Sequence, residues 1–205
     1  MKIIFATGNR DKMREIREIM EDTGIPVFSM KEAGFIGGII ENGTTFRENA
    51  LIKARTVQNW LFENGEKDCI VLSDDSGICV DAMDGGPGVY SARFLGEDTS
   101  YEVKNAAIID HVKDLPDEEK GCHYSCVIAA VFPDGTEETA EGILEGKIAD
   151  HPAGDGGFGY DPIVFLPEYG KRVSEITEEE KNRISHRGKA LRAMKELILK
   201  KGGNK

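Results

Sequence analysis

Cys69-Ile70-Val71-Leu72-Ser73-Asp74-Asp75-Ser76-Gly77-Ile78-Cys79-Val80 sets an acidic pair between two apolar runs. The flanks are aliphatic and β-branched, as buried strands require. Asp, Ser and Gly are residues that turns use, so the plain reading of Ser73–Gly77 is a bend joining two strands. The sharper reading is an acidic site, with one carboxylate holding a metal ion and one working on a proton. What else the chain brings to the same place decides between them.

At 205 residues the chain fits one large domain or one domain in two lobes. A domain of that size buries roughly 70% of its unfolded surface and needs no covalent staples. The 26 basic and 37 acidic side chains leave a net charge of -11. That surface repels a nucleic-acid backbone, so no nucleic-acid partner is expected. A small anion still binds where a local group of Lys, Arg and a metal overrides the global field. No apolar run approaches the roughly 20 residues of a membrane span, so no membrane partner is expected either. The apolar core of Met1–Thr7 is too short for a signal peptide, and the cytoplasm is the expected compartment. Cys69, Cys79, Cys122 and Cys126 all lie in or beside strand-like runs. Cys122 and Cys126 flank His123 but lack a second ligand pair at zinc-site spacing, so buried free thiols are expected.

Along the chain, Lys2–Ala6 reads as a strand, ended by Thr7-Gly8-Asn9. Met13, Ile16, Ile19 and Met20 then recur on one helical face, with Asn9 as the N-cap. A strand, a Gly-containing turn and a helix N-terminus offer N–H groups and a positive dipole end to a phosphate. Lys12, in the first turn, reaches the same anion. The P-loop spacing is absent. Val27–Ser29 reads as a brief strand and Gly34–Gly38 as a loop. Thr45 and Glu48 make a capping box that starts a long helix, with Phe46, Ala50, Ala54, Val57 and Leu61 on its buried face. Asn49, Lys53, Thr56 and Trp60 lie on another face, which reads equally as a solvated one.

A Gly/Pro-rich loop runs from Gly85 to Arg93, and a helix is expected from about Tyr101 to Val112. Tyr124–Phe132 and Thr136–Ile148 read as a hairpin turned at Pro133-Asp134-Gly135. In His151–Pro162, glycines and two aromatic rings suit a backbone that approaches a planar ligand. Thr177–Glu180 reads as a second capping box. A closing amphipathic helix carries Ala190, Leu191, Met194, Leu197 and Ile198. Residues 1–201 are expected to form one two-lobed domain, with 202–205 as a disordered tail.

Six segments occur in register: Thr7-Gly8-Asn9-Arg10-Asp11-Lys12, Glu41–Phe46 with Asn49 and Lys53, Asp74–Gly77, Pro87–Arg93, Gly157–Pro162 and Ser185-His186-Arg187. Together they resemble the inosine/xanthosine triphosphate pyrophosphatases, the Ham1-like enzymes, from Ile3 to about Leu199. The resemblance implies an α/β fold with an elongated mixed β-sheet and flanking helices, in two lobes with the active-site cleft between them. It implies a homodimer that hydrolyses ITP, dITP and XTP to the monophosphate and pyrophosphate with Mg²⁺.

Carried over residue by residue, the resemblance makes Thr7, Gly8, Asn9, Arg10, Asp11, Lys12 and Lys53 substrate contacts. Lys12, Lys53 and the N–H groups after Thr7 would cradle the triphosphate. Glu41 and Asp75 are the hard oxygen ligands that Mg²⁺ prefers. Asp75 is also the expected catalytic group that orients or deprotonates water, and Asp74 is open to either task. Ser76 would hold a phosphate or ribose oxygen. Phe158, Gly159 and Tyr160 would lie beside the base, with Asp161 fixing their loop. Lys181, His186 and Arg187 would face the purine edge. A donor aimed at a 6-keto oxygen meets an amino group in adenine, which excludes it; guanine keeps the keto group, so its exclusion rests on the 2-position. Two other readings stay open: a nucleotide-binding regulatory module without chemistry, and a pyrophosphatase for a different nucleoside triphosphate.

Overall fold

The computed structural model describes residues 1–202. Eight strands follow the order β2-β1-β3-β5-β6-β7-β8, with β4 paired to β3. They are β1 (Lys2–Phe5), β2 (Val27–Ser29), β3 (Cys69–Val80), β4 (Gly86–Pro87), β5 (Gly121–Val131), β6 (Glu137–Ile148), β7 (Val164–Leu166) and β8 (Lys171–Arg172). Five helices join them: α1 (Arg10–Met20), α2 (Phe46–Glu63), α3 (Tyr101–Val112), α4 (Glu178–Ile184) and α5 (His186–Gly202). The sheet is mixed: β1 runs parallel to β2 and β3, and β7 antiparallel to β6 and β8. Contacts divide the chain into two interleaved units. The first holds Met1–Asp75, Cys126–Gly142 and the chain from Arg187 on; the second holds Ser76–Ser125 and Ile143–His186.

In the first unit, apolar residues sort onto two faces with the strand period of two. Ile3, Phe5, Ile70 and Leu72 pack with Ile16 and Met20 of α1 and with Ala190, Leu191, Met194 and Ile198 of α5. Ile4, Ala6, Cys69 and Val71 pack with Ala50, Ala54, Val57 and Leu61 of α2. Helices cover both faces, which is why β1 and the start of β3 read as unbroken apolar runs. Each fully buried Ile or Leu contributes roughly 1.5–3 kcal/mol here.

The second unit builds its core from Ile78, Val80, Ile108, Val112, Leu144, Ile148, Ile163 and Val164. Strand β4 closes on β3 through Cys79↔Pro87, and β7 on β6 through Ile148↔Val164.

Three expectations change. Ser73–Gly77 is not a bend between strands, because β3 runs unbroken through it. The polar groups that suggested a turn are satisfied by neighbouring elements; the Ser73 hydroxyl donates to the Ala50 carbonyl at 2.5 Å. At α4, the structure gives the forward half of the capping box, with the Glu180 N–H donating to the Thr177 hydroxyl at 3.2 Å. Gly202, expected in the tail, is instead the last residue of α5, and the rest of the expected tail, 203–205, lies outside the described residues. All four cysteines are free and buried, as expected.

Candidate active site

Because β3 continues through the acidic pair, Asp74 and Asp75 point to opposite faces. Asp74 follows Ile70 and Leu72 toward α1 and α5, and Asp75 follows Val71 and Ser73 toward α2. Each therefore meets different partners.

On the α1 side, the Lys12 ammonium lies 2.7 Å from Asp74 Oδ2 and 3.0 Å from Oδ1. Arg187 Nε donates to Asp74 Oδ2 at 3.3 Å, and its Nη1 to Glu15 Oε2 at 2.9 Å. Asp74 is 2% exposed and Arg187 3%. Burial alone would raise the Asp74 pKa, but Lys12 and Arg187 outweigh it and hold the carboxyl well below its ordinary range. A group held anionic this firmly is a poor proton acceptor, so Asp74 is an anchor for Lys12 and Arg187.

On the α2 side, Lys53 Nζ lies 2.8 Å from Asp75 Oδ1 and also donates to Glu41 Oε2. Asn49 Nδ2 donates to Asp75 Oδ2 at 3.3 Å, while its Oδ1 accepts the Gly43 N–H at 2.8 Å. Asn49 thereby ties the segment carrying Glu41 to Asp75. A Cβ at Gly43 would stand 2.7 Å from that Oδ1, so only glycine permits the bond. Burial raises the Asp75 pKa; Lys53 opposes this, and the charges of Glu41 and Asp74 add to the rise. The Lys53 ammonium is itself penalised by burial, yet its acidic neighbours keep its pKa raised and its charge in place.

At the head of α1, Asn9 Oδ1 accepts the N–H groups of Asp11 and Lys12 at 2.8 and 3.2 Å, as its expected capping role requires. Asn9 N–H donates in turn to the Thr7 hydroxyl at 3.1 Å. Gly8, Asn9 and Arg10 are exposed, Asp11 and Lys12 are half-buried, and Ser76 on β3 is half-buried.

The second unit holds a separate cluster. Asp161, 4% exposed, accepts the Tyr124 hydroxyl on Oδ1 at 3.1 Å. Its Oδ2 accepts Lys181 Nζ at 2.6 Å and the Phe158 N–H at 2.8 Å. Lys181 Nζ also sits 4.4 Å from the centre of the Phe158 ring. Gly157, at φ +73°, would put a Cβ 2.3 Å from Asp161 Oδ2, so glycine is required for the loop to wrap this carboxylate. Asn105 Nδ2 holds the Gly159 carbonyl at 3.1 Å.

The expected site residues thus separate by unit. Thr7, Gly8, Asn9, Arg10, Asp11, Lys12, Glu41, Lys53, Asp75 and Arg187 belong to the first; Ser76, Phe158, Gly159, Tyr160, Asp161, Lys181 and His186 belong to the second. One placement differs from expectation. Tyr160, expected as a ring beside the base, is buried: it is 4% exposed, its hydroxyl donates to the Ser91 carbonyl at 2.7 Å, and it meets Tyr101 edge-on at 5.3 Å. Phe158 is 40% exposed, with the Lys181 ammonium over its ring. Arg187, expected at the purine edge, has its guanidinium bonded to Glu15 and Asp74. Glu15, Asn49 and Tyr124 take part in these networks without having been assigned a role from sequence. Asn49 had a signal, its place one turn before Lys53 on α2; Glu15 and Tyr124 had none.

The chain belongs to the Ham1 family, whose model matches residues 3–197. It is 43% identical over 197 residues to a dITP/XTP pyrophosphatase of Clostridium perfringens, covering 96% of this chain and 97% of the relative. It is 44% identical over 202 residues to a dITP/XTP pyrophosphatase of Caldanaerobacter subterraneus subsp. tengcongensis, covering 98% of each. Its fold is similar to that of a HAM1 protein from Coxiella burnetii, with a TM-score of 0.86 at 32% identity, covering 98% of this chain and 99% of that one.

Proposed function

We propose that this chain hydrolyses the non-canonical purine nucleotides dITP, XTP and ITP to the nucleoside monophosphate and pyrophosphate, clearing deaminated purines from the nucleotide pool. Two relatives matched over nearly their whole length are named dITP/XTP pyrophosphatases, which supports the reading. The observation that carries the reading is Asp75, a carboxylate whose pKa burial raises, flanked by one lysine and a second carboxylate.

In this reading Asp75 orients water and takes its proton as the α-phosphorus is attacked. A base with a raised pKa is the better acceptor near neutrality. Lys53 and Lys12 meet the growing charge on the phosphate oxygens, which is where positioned cations act in phosphoryl transfer. The N–H groups at the head of α1 add their dipole. Phe158 stacks on the base, and Lys181, held by Asp161, offers a donor to the 6-keto oxygen. Adenine presents an amino group there and is refused.

The donor set also fits Mg²⁺. Glu41 and Asp75 converge on a single ammonium, so both carboxylates reach one cation position, and Mg²⁺ takes one or two carboxylates with phosphate oxygens and water. Bound there, it would neutralise phosphate charge and polarise the scissile bond. A cytoplasmic homodimer completes the proposal. Four buried free thiols suit a reducing compartment, and no described helix is long and apolar enough to cross a membrane.

The test is pyrophosphate release with Mg²⁺ from ITP, dITP, XTP, GTP, ATP and dUTP. The first three are expected to dominate. Equal or greater turnover of ATP or dUTP would assign a different substrate, and no release from any would favour the regulatory module.

A further inference from the structure

Tyr124 enters the chain as the start of a strand, with nothing in its surroundings to mark it. In the structure it is buried on β5, and two of its contacts run to the cluster around Asp161. Its hydroxyl donates to Asp161 Oδ1 at 3.1 Å, and its ring stacks on His186 with centroids 4.7 Å apart and planes 13° from parallel. The other oxygen of Asp161 carries the Lys181 ammonium and the Phe158 N–H.

We propose that Tyr124 is a positioning residue for purine recognition, acting through Asp161. In the arrangement observed, the two oxygens of this buried carboxylate satisfy three donors at once. The Tyr124 hydroxyl occupies Oδ1, which leaves Oδ2 to hold Lys181 and the Phe158 backbone together. Without that hydroxyl the carboxylate rotates to share Lys181 between both oxygens. The Phe158 N–H then loses its acceptor, and the ammonium leaves its place over the Phe158 ring. A buried acceptor does not stay unpaired when a lysine is within reach. The donor and the stacking ring at the base end would move together, while the phosphate-handling groups of the first unit keep their own partners.

The proposal rests on the reading of Phe158, Lys181 and His186 as the base end of a purine nucleotide site. It adds a residue that never touches substrate and predicts an effect on recognition alone.

Tyr124→Phe isolates the hydroxyl, since the ring and its stack on His186 remain. The expected result is a KM for ITP and XTP raised about tenfold with kcat within about twofold of wild type, the pattern of lost binding rather than lost chemistry. The preference for dITP over dATP should narrow by a similar factor. Inhibition by inorganic triphosphate, which has no base, should not change. In a Lys181→Met background the same substitution should add little, because the two side chains act through one carboxylate. A thermal melt accompanies each variant. A Tyr124→Phe enzyme with wild-type KM and selectivity, or one that loses kcat and triphosphate inhibition alike, overturns the proposal. So does full additivity with Lys181→Met, which holds even where Tyr124→Phe is poorly stable. Wild-type enzyme that hydrolyses no purine triphosphate would instead overturn the reading beneath it.

Discussion

In the first unit Asp75 shares a single lysine with Glu41 and takes one amide hydrogen from Asn49; in the second, Asp161 has Lys181, the Tyr124 hydroxyl and the Phe158 N–H to itself. Both are carboxylates beside a lysine, and their surroundings give them different work. Asp161 has its oxygens filled and its side chain 5% exposed, so it holds other groups still. Asp75 is 13% exposed, and two anions compete for its cation. Burial raises its pKa, Lys53 opposes the rise, and the charges of Glu41 and Asp74 add to it, which makes it a better proton acceptor in the proposed reading. In that reading Asp161 positions and Asp75 reacts.

Asp74 extends the comparison, since it adjoins Asp75 in sequence and resembles Asp161 in its environment. Breaking its buried network should have the largest effect on stability. Asp74→Asn should lose about 3–5 kcal/mol at pH 7, because a buried network loses the carboxylate shared by Lys12 and Arg187, although Arg187 keeps Glu15. Its folded pKa lies below the ordinary 3.8, so its contribution is complete above that pH and is lost as pH falls below it. Urea unfolding at pH 7 and pH 3 should show the gap between wild type and variant narrowing in acid, and an equal gap would contradict the assignment.

Removing Lys53 sharpens the other side. Lys53→Met should lower kcat/KM for ITP by roughly 10- to 100-fold, the scale of a charge-assisted bond. It should also move the acid limb of the pH profile upward, because the ammonium that opposes the rise in the Asp75 pKa is gone. An unmoved limb would separate Lys53 from Asp75.

At the base end, Phe158→Ala should raise KM about tenfold and leave kcat unchanged, as loss of a single stacking ring does. A fall in kcat alone would place Phe158 with the chemistry. The smallest effect belongs to an ion pair outside both clusters. Arg55 and Glu137 lie 2.6 Å apart, but Arg55 is half exposed. Arg55→Ala should cost under about 1 kcal/mol by thermal melt and leave kcat/KM unchanged.

The sequence disclosed the elements well where periodicity was strong. Asn9 caps α1, Thr45 and Glu48 box the start of α2, and α3 begins at Tyr101 as its pattern predicts. The acidic stretch misled because turn propensity is local, whereas the bonds that keep β3 straight come from α1, α2 and α5. Once β3 is continuous, its alternation separates Asp74 from Asp75. No sequence rule supplied that while a bend was assumed between them. Tyr160 was read too openly for a related reason: residue type suggested a ring free to stack, while burial gave its hydroxyl a backbone partner 69 positions away. Glu15 and Tyr124 show the limit most plainly, since their roles arise from neighbours 172 and 37 positions away.

The division between Asp74 and Asp75 is tested most directly by Asp75→Asn. This variant keeps shape and a hydrogen-bonding oxygen while removing the proton acceptor. Pyrophosphate release from ITP should fall at least ~10²-fold, while ITP binding, measured calorimetrically with Mg²⁺, persists and the unfolding midpoint stays near wild type. Turnover near the wild-type level would contradict the assignment of Asp75 as the base.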